Sequence, residues 1–280
     1  MNGMKSIQRI AIALFLGFTV TSCVQESIWV SEEVSTREYD FDNIRALQVS
    51  SDFRAYVTFS DTEEKVSIKA NDNLFRRIDA YMEGSKLVVK LENNVRVRGK
   101  ETMELYVTTK NISKFKASAD AAIIMESPIN TNNVSIELSS DAYFEGDITA
   151  DDLELHMASD SEAEMYLDVE DAYLDLSSSS RLQGESNIKD AKIRLASDAE
   201  VDIIGTIESL DAIMSSDSEL KDYGLEVQDL RIDLTSDSDA FLTVTGTIDV
   251  TANSDSRLYY KGDAEIIRQV LSSDGRVIKK

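Results

Sequence analysis

The feature that most constrains the fold is a short phrase that recurs through the second half of the chain. It reads apolar-x-apolar-x-apolar-x-Ser-Asp-(Ala/Ser)-x-apolar, with Ser179 in place of the aspartate in one copy. Successive serines are separated by 19, 19, 19, 19, 20, 18 and 19 residues, so a one-residue slip is corrected in the next copy. The serines are Ser140, Ser159, Ser178, Ser197, Ser216, Ser236, Ser254 and Ser273. A repeat this constant predicts a stack of equal structural units.

The residues before each serine alternate between apolar and polar, as in Val134, Ile136 and Leu138. A period of two predicts a strand with one buried face. The alternation continues through the serine to the residue two positions later. We therefore expect a corner between two strands, with the serine and the following small residue both facing inward. In the last copy Ile267, Gln269 and Leu271 take the inward positions, where the polar middle residue is typical of a capping unit.

If each repeat is one coil of a parallel β-helix, equivalent residues stack directly and successive coils rise by about 4.8 Å. A β-propeller would need about 40 residues per blade, and leucine-rich repeats would show their Asn/Leu signature. We therefore predict an all-β fold, a parallel β-helix or related β-solenoid with coils of about 19 residues. The N-terminal half, from about Phe41 to Ser127, is predicted to be strand-rich but less regular.

The N-terminus has the layout of an export signal. Lys5 and Arg9 precede an apolar run that is too short to cross a bilayer as a helix. The run ends at Val20-Thr21-Ser22-Cys23, which resembles the lipobox of bacterial lipoproteins, and Cys23 is the only cysteine. We predict a signal peptide over residues 1–22, lipidation of Cys23, a lipidated tether over residues 23–38 and one β-helix-like domain over residues 39–280. This layout indicates an outer-membrane lipoprotein of the bacterial cell envelope, facing the periplasm or the outside.

The charge of the chain narrows the range of partners. The net charge is −23, and removal of the signal peptide with its two basic residues leaves −25. Such a field repels phosphate backbones and anionic membrane surfaces, which excludes nucleic acid as a partner and leaves the lipid anchor as the contact with the membrane. Glycan, protein and divalent-cation ligands stay open, as does the oligomeric state.

Several segments of the N-terminal half follow the order of a known family. They are Phe41-Asp42-Asn43-Ile44, then Val66-Ser67-Ile68-Lys69-Ala70, then Gly84-Ser85-Lys86-Leu87-Val88-Val89. This order resembles the "putative auto-transporter adhesin, head GIN domain" family of lipoproteins common in Bacteroidota, over about residues 39–262. The resemblance implies a parallel β-helix at the cell envelope. The repeated corners of that family read Ser-Gly-(Ala/Ser), whereas this chain has Asp in place of Gly. Glycine there suggests a left-handed or bulged corner, in which Asp is among the least costly substitutes.

The aspartates of the corners form the main candidate site. Six of them are predicted to stand in one outward column, interrupted by Ser179: Asp141, Asp160, Asp198, Asp217, Asp237 and Asp255. At about 5 Å spacing each neighbouring pair of carboxylates repels by roughly 0.9 kcal/mol even in a water-like dielectric. One interpretation is a ladder of weak Ca²⁺ sites. The other is that each Asp accepts a hydrogen bond from backbone N–H groups of its own corner.

No catalytic residues are assigned. His156, the only histidine, is one residue out of phase with the buried Leu155 and is predicted to be exposed, and the chain has no Gly-x-Ser-x-Gly elbow. A coil of 19 residues leaves little chain for the long loops that form catalytic clefts on β-helices. We therefore predict a non-catalytic adhesion or binding scaffold, with glycans or host surface ligands as candidate partners. The alternatives are a polysaccharide-active enzyme of the pectin lyase type and a structural envelope component.

Overall fold

The computed structural model describes residues 26–280, which form β-strands and one 3-10 turn at Asp72–Leu74. The strands of the N-terminal part are β1 (Glu26–Trp29), β2 (Val34–Tyr39), β3 (Ala46–Ser50), β4 (Arg54–Phe59), β5 (Lys65–Asn71), β6 (Ile78–Glu83), β7 (Lys86–Leu91), β8 (Val95–Arg98), β9 (Met103–Thr109), β10 (Lys114–Ser118), β11 (Ala122–Met125) and β12 (Ile129–Asn130). The strands of the repeat region are β13 (Asn133–Ser139), β14 (Tyr143–Ala158), β15 (Glu162–Ser177), β16 (Arg181–Ala196), β17 (Glu200–Met214), β18 (Glu219–Lys221), β19 (Leu225–Leu234), β20 (Asp239–Ala252), β21 (Arg257–Lys261), β22 (Glu265–Leu271) and β23 (Arg276–Lys279).

The repeat region is a parallel β-solenoid, as the spacing of the repeats predicts. Strands β14 to β17 pair in parallel, and the pairs join residues 19 positions apart, as in Leu155 with Leu174 and Leu174 with Ile193. Apolar side chains therefore lie over apolar side chains at each inward position. The core is one continuous column of buried residues through about nine turns.

Each coil turns at its Ser-Asp pair through two consecutive residues in the left-handed region. From Ser140 to Asp255 the φ angles of these pairs lie between 54° and 62°. The backbone N–H of each second residue donates to the carbonyl of the first residue in the next corner, as from Asp141 to Ser159 and from Asp160 to Ser178, at 3.0 and 2.9 Å. The left-handed conformation expected from the Gly-to-Asp exchange is confirmed. The predicted inward orientation of the serines is wrong, because the left-handed pair leaves both of its residues exposed.

The small inward side chain is the residue directly after the pair. In the corners from Ser140 to Asp255 this residue is always Ala or Ser, and it is buried in each: Ala142, Ser161, Ser180, Ala199, Ser218, Ser238 and Ser256. Each buried hydroxyl donates to a main-chain carbonyl of the preceding coil, as from Ser256 to Leu234 at 3.0 Å. A buried hydroxyl without a partner would be costly, and this bond satisfies it.

A second bend in each coil was not evident from the sequence pattern. Between the buried Ala150 and Leu153, two consecutive residues, Asp151 and Asp152, are exposed. The same step recurs at the equivalent positions of the next coils. It changes the parity of the inward positions within each coil, from even to odd residue numbers in the coil of Ala150 and from odd to even in the next coil. The residues before and after the bend therefore lie on different faces of the coil.

At the N-terminal end the order of the coils differs from the order of the chain. On one side β3 pairs with β10 and β4 pairs with β11. On the other side β3 pairs with β7 and β4 pairs with β9. Strands β6 and β5 pair antiparallel with β7 and β9, and β2 pairs antiparallel with β5. The segment between β4 and β10 therefore closes this end of the stack with antiparallel strands.

The described part of the predicted tether is not a free segment. Strand β1 pairs with β8, strand β2 pairs with β5, and Ile28 is buried in the core. These backbone and apolar contacts hold residues 26–39 on the domain. The predicted signal peptide and the lipidation site Cys23 lie outside the described residues.

The C-terminal end differs from the N-terminal end. Within residues 26–280, β22 pairs with β20 alone and β23 with β21 alone. The predicted inward position of Ile267 is wrong. The pairing shifts by one residue after Ile266, which packs against the core, and Ile267 is 60% exposed. Val270 and Leu271 are also exposed, because no described coil lies above them.

We expect Asp160→Val to lower the melting temperature of the protein and Asp147→Val to leave it nearly unchanged. Asp160 is left-handed at φ 61°, a conformation that costs a non-glycine residue about 1–2 kcal/mol and a β-branched one most. Asp147 is an exposed strand residue of the adjoining coil, where valine is favoured. Calorimetric unfolding measures both. Asp160→Asn, which tolerates the left-handed region, is the matched control, and equal losses for the two valine variants would contradict the strained corner.

Candidate functional site

The aspartate column extends beyond the six predicted members. In the order of the stack it contains Asp52, Asp120, Asp141, Asp160, Ser179, Asp198, Asp217, Asp237, Asp255 and Asp274, all left-handed second residues of a corner. Asp52 and Asp120 belong to early copies of the corner that lie outside the regular spacing, because Asp120 precedes Asp141 by 21 residues and Asp52 precedes Asp120 by 68. In the structure Asp52 donates its N–H to the carbonyl of Ala119 in the next corner. The column is thus a continuous feature of the outer surface.

The carboxylates of this column play no part in the hydrogen bonds of the corners. The Asx-type bonds of the second interpretation are not formed in the described corners. The N–H of each second residue donates to the next corner, and the N–H of the residue after it can donate within its own corner, as from Ser256 to Asn253 at 3.3 Å. Within residues 26–280, no three His, Cys, Asp or Glu side chains are grouped closely enough to hold a metal ion. The column therefore projects its charges into solvent, and Ca²⁺ binding by Asp141, Asp160, Asp198, Asp217, Asp237 and Asp255 stays a prediction.

Added Ca²⁺ and Mg²⁺ are expected to raise the melting temperature by equal amounts at equal ionic strength. Both ions screen the repulsion along the column, and a grouped set of oxygen ligands, which would favour Ca²⁺, is not formed by the described carboxylates. Differential scanning calorimetry in matched chloride salts makes the comparison. A larger rise with Ca²⁺, lost in an Asp198→Asn/Asp217→Asn double variant, would instead support the ladder of Ca²⁺ sites.

The environment of Asp52, at the N-terminal end of the column, perturbs its ionisation. Partial burial raises the pKa of its carboxyl, and the neighbouring charges of Asp120 and Glu101 raise it further. A carboxyl whose pKa is higher in the folded than in the unfolded protein destabilises the fold when it is ionised. This destabilisation is present above the folded pKa and disappears as the pH falls below the ordinary value of 3.8.

Asp52→Asn is therefore expected to raise the melting temperature at pH 7 and to leave it unchanged at a pH below the ordinary Asp range. Asparagine removes the charge and still tolerates the left-handed conformation of this residue, at φ 60°. Thermal unfolding followed by circular dichroism over pH 3–8 gives the profile. A gain that persists undiminished in acid would show that the effect does not come from ionisation. Asp274→Asn, at the far end of the column, is the control.

A groove lies on the face that follows the second bend. It has a volume of about 780 Å³ and crosses several coils. Two columns of outward side chains line it, each in register across neighbouring strands. One column contains Asn133, Asp152, Asp171, Asp190 and Ser209, and the other contains Ser135, Glu154, Tyr173, Lys192 and Asp211. Each column takes one residue from each coil, so the repeat spacing and the alternation already stack these side chains on the outside. What the sequence does not show is that the surface between the two columns is concave.

Tyr173 is the aromatic residue among the groove-lining side chains. Its ring is half-buried and meets the ring of His156 edge-on, with 5.7 Å between the centroids. The guanidinium carbon of Arg194 lies 5.7 Å from the same centroid. Ala172 and Ala191 form part of the floor, so the ring stands beside a shallow surface of small side chains. The groove thus combines one fixed ring with carboxylate, amide, hydroxyl and ammonium groups.

His156 is on this outer face, as the alternation predicts, and is partly exposed. Its Nε2 lies 3.0 Å from a carboxylate oxygen of Glu154, and its Nδ1 lies 3.6 Å from one of Asp175. The imidazole is therefore held between carboxylates of its own and the next coil. No serine or threonine hydroxyl is hydrogen-bonded to this ring in the described chain.

The family described as "Putative auto-transporter adhesin, head GIN domain" matches residues 40–183 and 160–264. The chain belongs to this family. The resemblance expected from the N-terminal segments is confirmed, and the match covers both the closed N-terminal end and most of the solenoid. None of the curated proteins compared with the head GIN chain matches it.

Solved structures share the fold of this head GIN domain protein. A "putative adhesin" from Parabacteroides merdae ATCC 43184 aligns with a TM-score of 0.70 and 16% identity, covering 91% of this chain and 99% of the other. From Parabacteroides distasonis ATCC 8503, a second "putative adhesin" gives 0.65 at 15% identity and a "putative lipid binding protein" gives 0.63 at 16%. Both cover 91% of this chain and 100% of their own. At these identities the likeness establishes the fold alone. Over residues 26–280, no helix is long and apolar enough to cross a bilayer.

Proposed function

We propose that this head GIN domain protein is a non-catalytic binding protein of the cell envelope, held on the membrane by a lipid on Cys23, and that its groove binds a glycan. The observation that carries the proposal is the groove itself. Its size lies within the range of ordinary ligand sites, about 300–1,000 Å³. Its lining is rich in side chains that donate or accept hydrogen bonds and contains one fixed aromatic ring.

This combination suits a carbohydrate. Carboxylates and amides in one column can bond to the hydroxyls of successive sugar units, and a ring beside a flat alanine floor offers an apolar surface to a pyranose face. The repeat of about 4.8 Å between coils places equivalent polar groups along a line, which matches an extended polymer better than a compact small molecule. The preponderance of Asp and Glu in the lining favours a neutral or amino-bearing glycan over an anionic one.

The position of the N-terminus supports the proposed anchor. Two residues lie between Cys23 and Glu26, and the three steps from one to the other span at most about 11 Å. β1 pairs with β8, which follows β7 and precedes β9 along the chain. Strands β7 and β9 belong to the closed end of the stack. A lipid on Cys23 would therefore hold the closed end near the membrane and leave the groove and the far end of the solenoid free to meet ligands.

A polysaccharide-active enzyme is the second candidate, because carboxylates of neighbouring coils are paired in register in the same groove. Asp152 pairs with Asp171, and Asp171 pairs with Asp190. Paired carboxylates at about 5 Å serve as nucleophile and acid in retaining glycosidases. The two functions differ in outcome, because an enzyme shortens the glycan that it binds and a binding protein leaves it intact.

We expect the detergent-extracted full-length protein to be retained by specific neutral or amino-bearing glycans on an array, without loss of the glycan. Tyr173→Ala should weaken this retention by about tenfold or more, as truncation of an aromatic anchor does. Tyr166→Ala is the matched control, because Tyr166 belongs to the same strand but stands on another face of the coil. Retention measured against protein concentration gives the affinities.

Other outcomes would reject parts of the proposal. A blank array, or equal effects of the two tyrosine variants, would remove the groove as a glycan site. Loss of glycan signal would favour the enzyme, to be checked with Asp171→Asn. The Cys23→Ala variant tests the anchor in the same preparation, because the protein should then leave the membrane fraction.

A further inference from the structure

The charge of this protein is unevenly distributed along the stack. Residues 114–256 contain 33 Asp or Glu and eight Lys or Arg, a net charge of −25. Residues 257–280, which form the last strands β21, β22 and β23, contain three acidic and six basic residues, a net charge of +3. The C-terminal end is therefore a cationic surface at the end of a strongly anionic solenoid.

The same end presents an open sheet edge. Strand β22 has a paired neighbour on one side only, and so does β23, within the described chain. In each earlier corner the N–H of the second residue donates to the next corner, as from Asp255 to Ser273 at 3.0 Å. The equivalent N–H of Asp274 has no such acceptor among residues 26–280. Unpaired backbone groups along an edge strand are a template for an added strand.

The side chains around this edge separate into two sets. Ile266 and Val277 pack partly against the core, so their exposed parts would be covered by an apolar side chain above them. Lys261, Arg276 and Lys280 are on the outside, and no carboxylate of the described chain lies within 4.0 Å of their charged groups. Lys261 and Lys280 instead lie over the rings of Tyr223 and Tyr259, at 4.1 and 4.9 Å from the centroids.

We propose that the C-terminal edge binds an extended segment of a partner protein as an added β-strand, and that this segment alternates apolar with acidic residues. Its backbone would pair with β22 and β23 and accept the N–H of Asp274. Its apolar side chains would continue the core over Ile266 and Val277, and its acidic side chains would face Arg276 and Lys280 of β23. This surface is separate from the groove, since it lies at the end of the stack and uses backbone groups.

The repeat itself supplies a suitable probe. Residues 162–176, EAEMYLDVEDAYLDL, alternate inward apolar with outward acidic residues and form a coil of this fold. A fluorescently labelled peptide of this sequence should bind the full-length protein, as measured by anisotropy. A matched peptide with Gln and Asn in place of every Glu and Asp should bind about tenfold or more weakly at low salt, because it lacks the complementary charges.

Variants of the protein locate the binding surface. The double variant Arg276→Glu/Lys280→Glu should weaken binding of the acidic peptide by about tenfold or more. Arg96→Glu/Lys100→Glu, an equal change of charge at the closed end, should leave the affinity unchanged. All four residues are exposed or partly exposed, so these variants should keep the wild-type circular dichroism spectrum. Hydrogen exchange should show new protection of amides in residues 265–279 when the acidic peptide is bound.

Equal binding of the acidic and neutral peptides, equal losses in the two double variants, or protection elsewhere in the chain would overturn the inference. Tyr173→Ala should bind the peptide like the wild type. Failure at the C-terminal edge and failure of the proposed glycan groove are therefore distinguishable.

Discussion

The left-handed pair at each corner is the constraint from which the rest of the structure follows. Two consecutive residues near φ 60° are costly for any side chain other than glycine, and the chain accepts that cost in every coil. The backbone bond from each pair to the next fixes one corner directly over another. Because the corners are aligned, each residue lies next to the residue 19 positions further along the chain. This holds for inward and for outward side chains.

This alignment divides the chemistry of the molecule between the inside and the outside. In the repeat region the buried column is apolar except for serine hydroxyls that donate to main-chain carbonyls, as Ser218 does to Leu195. On the outside, a residue type that recurs at the same position of each repeat forms a column of side chains. The carboxylates at the corners and the polar side chains along the groove are such columns. Binding properties can therefore vary from coil to coil without any change in the fold.

The sequence predicted the regular part of the fold because strands in register need only a constant spacing, which Leu155, Leu174 and Ile193 display. It failed where local geometry breaks the alternation. Ser140 was assigned inward because a period of two ignores the left-handed pair, and Ile267 because it ignores a one-residue shift. The groove was missed for a different reason, since the alternation predicts which side chains face outward but not that the surface between two outward columns is concave. The antiparallel closure of the N-terminal end has no repeat to reveal it.

The reversed coil order at that end has a consequence for how the molecule is assembled. Strands β3 and β4 are made before β7 and β9, yet they lie above them, so the first coil acquires its neighbour only when the hairpin of β6 and β7 has folded back. From β10 onward each new coil closes a loop of about 19 residues onto a surface that already exists, at a small and constant entropic cost. The order of stacking therefore follows the order of the chain from β10 onward and departs from it within residues 26–109.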